Sequence, residues 1–126
     1  MDRRQVEALA RKSFDHWREE LPLDGFTVEL LVESGGDLDN RGSCSMSAEN
    51  RDVVIRINPE NCLTAKHIRD TVKHEFLHVL TCEYQLFWEI VKADLPNEMH
   101  DMTERLWAAL WEQMLRRLER CWEDEE

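Results

Sequence analysis

Apolar residues recur at helical spacing over residues 3 to 20, where Val6, Leu9, Ala10, Ser13, Phe14 and Trp17 share one side and charges take the other. Pro22 and Gly25 turn the chain out of that helix. From Phe26 to Glu33 the period drops to two, with Phe26, Val28, Leu30 and Val32 on one face, which predicts a strand. Residues 35 to 42, from Gly35-Gly36-Asp37 to Arg41-Gly42, read as a loop. Cys44, Met46 and Ala48 then alternate with serines, and Val53, Ile55 and Ile57 alternate with Val54 and Arg56. Glu49-Asn50-Arg51-Asp52 lies between these runs, so the two strands are expected to form a hairpin. Pro59 ends the second strand, and Thr64 is placed to cap a helix from Ala65 to about Cys82. A last helical pattern runs from Asn97 to about Trp122. Segment 84 to 96 is rich in apolar residues and has no breaker before Pro96, and its pattern assigns it no element.

These elements predict an α+β fold: an N-terminal helix, a small three-stranded sheet, a second helix and a long C-terminal helix. The 126 residues suffice for one domain with a single modest core, and 42% apolar residues mark a globular chain. The net charge of −11, with the tail Glu123-Asp124-Glu125-Glu126, argues against nucleic acid as a partner and is the ordinary signature of a soluble surface. No apolar run has the length of a membrane span and no secretory signal is visible, so a cytoplasmic location is expected. Cys44, Cys62, Cys82 and Cys121 form no Cys-x-x-Cys pair and read as free thiols.

The second helix carries His74-Glu75-Phe76-Leu77-His78, an H-E-x-x-H motif. Histidines four apart project from one helix face, so their ring nitrogens can share a metal ion. Glu75 is rotated about 100° from His74 and about 60° from His78, beside the metal rather than on it. There it can act as general base on a zinc-bound water whose acidity the metal has raised.

With this motif the chain resembles the zincin metallopeptidases, above all their short intracellular and phage-encoded members. The resemblance is specific only over residues 74 to 78. It implies zinc as cofactor, His74 and His78 as ligands, Glu75 as catalytic base, and hydrolysis of peptide bonds in a protein or peptide substrate. It also implies a strand laid along an extended substrate, expected here to be Asp52 to Ile57. The metzincin extension would need glycine at 81 and histidine at 84, where this chain has Thr81 and Tyr84. The glycine-histidine pair of the SprT-like proteins is also missing. A non-catalytic zinc-binding or regulatory module with the same fold is the competing expectation.

A catalytic zinc takes a third protein ligand, and Glu98, His100 and Glu104 are the downstream candidates. The stripe of Met99, Met102, Leu106, Leu110 and Met114 is expected to face the motif helix. On a helical wheel His100 and Glu98 lie about 100° to either side of its centre and Glu104 about 140° away. Thr103, Trp107 and Leu118 widen the stripe towards His100, which is therefore the preferred ligand. The residues after His100 also resemble small zincins of the ImmA/IrrE kind, with His100 in place of the usual acid. A thermolysin-like reading would use Asn97-Glu98 instead. Cys82 and Tyr84 are candidates for an accessory thiol and an oxyanion donor, with plain packing the alternative for both. His67, about 10 Å from His74 along the helix, reads as a surface residue. Trp107 and Trp111 belong either to a broad core or to a dimer face.

Overall fold

A computed structural model describes residues 1–23, 25–34, 40–47 and 50–122. Its elements run α1 (Arg3–Glu20), β1 (Thr27–Val32), β2 (Gly42–Ser47), β3 (Asp52–Ile57), α2 (Ala65–Leu80), α3 (Cys82–Ala93) and α4 (Asn97–Glu119). This is a small α+β fold, as the periodicities indicated, with α3 added where the pattern assigned nothing. The loop expected over 35 to 42 lies partly outside the described residues, and Gly42 already belongs to β2. Ala48, Glu49 and the acidic tail from Glu123 also lie outside them.

Helix α1 starts at a reciprocal cap, in which the Asp2 side chain accepts from Gln5 N and the Gln5 side chain accepts from Asp2 N. It buries Val6, Ala10, Ser13, Phe14 and Trp17. Thr64 caps α2 by accepting from His67 N, at the position its sequence suggested.

The sheet order is β1-β3-β2, with β1 parallel to β3 and β2 antiparallel to it. The β2–β3 hairpin matches the expectation. The β3 strand, however, is central and hydrogen-bonded on both sides, so Asp52 to Ile57 has no edge left for a substrate. Its Val53, Ile55 and Ile57 are buried, and apolar burial on one face is what a strand under a helix layer requires. Among the described residues, the free edge beside the motif helix belongs to β2.

Helix α2 is shared between two cores. Ile68, Val72, Phe76 and Val79 join α1 and the sheet, with the Phe14 and Phe76 rings 5.2 Å apart. Leu77 faces the other way and packs with Trp111 and Leu115 of α4. Trp107 and Trp111 therefore belong to the core side of α4, with Trp107 stacked on Tyr84 and Trp88 and Trp111 edge-on to Tyr84. Of the stripe expected to face the motif helix, Met114 packs against the Leu77 cluster, but Met99, Met102, Leu106 and Leu110 are exposed.

Candidate metal centre

Helical spacing alone brings His74 and His78 together, and their ring centroids are 4.9 Å apart. The ring of His78 also meets Trp111 edge-on at 4.7 Å, and Trp111 Nε1 donates to Thr81 Oγ1 at 2.7 Å. That contact fixes α4 against the end of α2. It sets Glu112, the next residue of α4, beside the histidine pair. His74 Nε2 lies 3.4 Å from Glu112 Oε2, and His78 Nε2 lies 3.2 Å from Glu112 Oε1.

Further along α4, His74 Nδ1 donates to Glu119 Oε1 at 2.6 Å. A carboxylate on Nδ1 holds the proton there and leaves Nε2 with its lone pair turned to the cluster. Lys73 Nζ donates to the carbonyls of Glu119 and Trp122, so the neighbour of His74 ties down the end of the helix that carries Glu119.

The donor set fits a zinc ion. Metal–ligand bonds of about 2.0–2.1 Å in a tetrahedron separate neighbouring ligand atoms by roughly 3.3 Å. Each histidine meets its own oxygen of Glu112 near that value, at 3.4 and 3.2 Å, and one donor atom from each of His74, His78 and Glu112 lies within 4.8 Å of the others. Burial lowers the pKa of His78, with the charge of His74 acting the same way, so the ring is held towards the neutral form that a ligand needs. Among the described residues no fourth histidine, cysteine or acid joins this group.

Glu75 is buried and lines the same cleft without being one of the cluster. Burial pushes its carboxyl up to about 7; His74 opposes the shift and Glu112 adds to it. A buried acid with a near-neutral pKa beside a cluster of ligand donors is suited to taking and returning a proton.

His100 is not brought to the cluster. Its Nε2 donates to Leu95 O at 2.8 Å, closing the turn between α3 and α4. Glu104 faces Lys92 at 3.5 Å and Glu98 joins no cluster, so Glu112 stands where a third ligand was sought. The physical reason is α3: its 12 residues move the turn towards α4 further along the chain, which shifts the stretch of α4 opposite His78. A wheel that weighted Trp107 and Trp111 instead would centre on His100, so the facing of α4 alone does not point to Glu112; its register along α2, set by α3, does.

The remaining candidates have contacts of their own. Cys82 is buried and donates weakly to Glu83, Tyr84 stacks on Trp107, and His67 Nδ1 accepts from Leu63 N.

The cluster opens into a cleft of ≈ 1260 Å³ walled by β2, α2, α3 and α4. Gly42, Ser43, Cys44 and Met46 of the free edge line it, as do Arg41, Arg116 and Arg120. Among the described residues these three arginines make no side-chain ion pair, which is notable in a chain of net charge −11. Comparisons of the chain with protein-family models, with curated proteins and with solved structures find no match.

Proposed function

We propose that the chain is a zinc-dependent metallopeptidase, with His74, His78 and Glu112 as ligands and Glu75 as general base. The observation that carries this reading is the convergence of the two motif histidines on the Glu112 carboxylate at 3.4 and 3.2 Å. Bound zinc supplies a Lewis acid that polarises the scissile carbonyl and acidifies water. The rest falls to the chain's own groups. Glu75 takes a proton from the attacking water as the new C–O bond forms, then delivers it to the amine as the C–N bond breaks. Glu119 holds the His74 ring in one tautomer throughout. The open edge of β2 offers main-chain groups to an extended peptide, in the place first assigned to β3.

The competing reading is a zinc site that only stabilises the fold or a contact. A structural zinc site is normally closed by four protein ligands, whereas among the described residues this cluster has three donors and faces a cleft of peptide-binding size. Those two features favour catalysis.

The test is Glu75→Gln, assayed on a random peptide mixture by mass spectrometry. The variant should keep its zinc and its circular dichroism spectrum while cleavage falls by about 10²–10⁴. Unchanged cleavage would remove Glu75 from the chemistry, and loss of zinc would make it a ligand.

A further inference from the structure

Helix α4 is apolar on two opposed sides. One carries Trp111 and Leu115 into the core. The other carries Met99, Met102, Leu106 and Leu110, which are 41%, 70%, 60% and 47% exposed. At about 100° per residue these four fall within an arc of roughly 80°, forming one continuous stripe. It presents on the order of 400 Å² of apolar surface, the size at which an exposed patch marks an interaction site. A helix that is apolar all round is ordinarily buried all round.

The charges flanking the stripe select its occupant. Glu98 stands at the N-terminal end and Arg117 at the C-terminal end, and neither makes a side-chain ion pair among the described residues. A second α4 laid across the stripe antiparallel to the first brings Glu98 to the partner's Arg117, twice over. A parallel partner would oppose like charges at both ends. The same antiparallel register sets Leu106 against the partner's Leu110 and Met102 against the partner's Gln113, about a two-fold axis near residue 108. Exposed Ala109 beside that axis lets the helices approach closely. With the stems of Glu98, Gln113 and Arg117 included, the contact approaches the roughly 800 Å² per partner of a standard interface.

We propose that the occupant is a second copy of this chain, bound through an antiparallel two-fold pairing of α4 with α4. The contact is isologous, so it closes on itself and stops at two copies. It leaves the cleft with His74, His78 and Glu112 on another face of α4, and it does not depend on the zinc reading.

Light scattering of the full chain at about 100 µM should give twice the 15.0 kDa of one chain. Leu106→Glu, at a position already exposed in the monomer, should fold normally by circular dichroism and return the mass to one chain. Glu98→Arg and Arg117→Glu should each weaken the dimer by about tenfold or more, and the double variant should restore it. A single-chain mass for the unmodified protein, or a dimer indifferent to Leu106→Glu, would overturn the proposal. Failure of the double variant to recover would overturn the antiparallel register.

Discussion

A proton held on His74 Nδ1 by Glu119 fixes which nitrogen of that ring faces the cluster. Removing the carboxylate lets the ring turn and lets Nε2 take the proton instead. Glu119→Ala should therefore weaken zinc binding by about ten- to a hundredfold, read by competition with a colorimetric chelator. An unchanged affinity would mean that the bond orients nothing. His74, Glu75 and His78 were legible in the sequence because one helix fixes their relation through local spacing alone. Glu112 and Glu119 were not, since their place depends on how α4 docks. The contact that decides this, Trp111 Nε1 on Thr81 Oγ1, joins residues 30 apart in the chain.

Helix α2 and strand β2 approach closely at Gly42. A Cβ built there would stand 2.6 Å from Thr71 Cγ2 and 2.8 Å from Arg56 O, both tighter than side chains tolerate. Gly42→Ala must push the start of β2 away from α2 and from β3. It should lower stability by about 1–3 kcal/mol, seen as a fall in the urea midpoint at constant slope. An unchanged midpoint would show that the β2 edge has room to move. Elements with one apolar face were legible from period alone: α1, β1, the β2–β3 hairpin and α2. The α3 helix was hidden because Leu86, Phe87 and Ile90 are exposed while Trp88 is buried, so its apolar residues do not form one stripe. In α4 the exposed stripe imitated a core face, and the two tryptophans that do reach the core looked peripheral. The choice of His100 turned on register rather than facing, because the 12 residues of α3 place a later stretch of α4 opposite His78.

At the scale of the whole molecule, α2 is the shared wall of both cores. Its Phe76 side locks to α1 and the sheet, and its Leu77 side locks to α4. The motif residues are held on the third side, between the β2 edge and α4, where the cleft lies. Parallel pairing of β1 with β3 was not legible, because strand order is decided by the segments linking the strands rather than by alternation within them. Among the described residues no helix is long and apolar enough to cross a membrane.

The central claim is that His74, His78 and Glu112 together hold zinc, and metal content measured by mass spectrometry on purified protein tests it most directly. The unmodified chain should carry close to one zinc. His100→Ala should keep it, and Glu112→Ala should lose most of it while remaining folded by circular dichroism. A chain that takes up no zinc would contradict the account. So would zinc lost in His100→Ala and retained in Glu112→Ala.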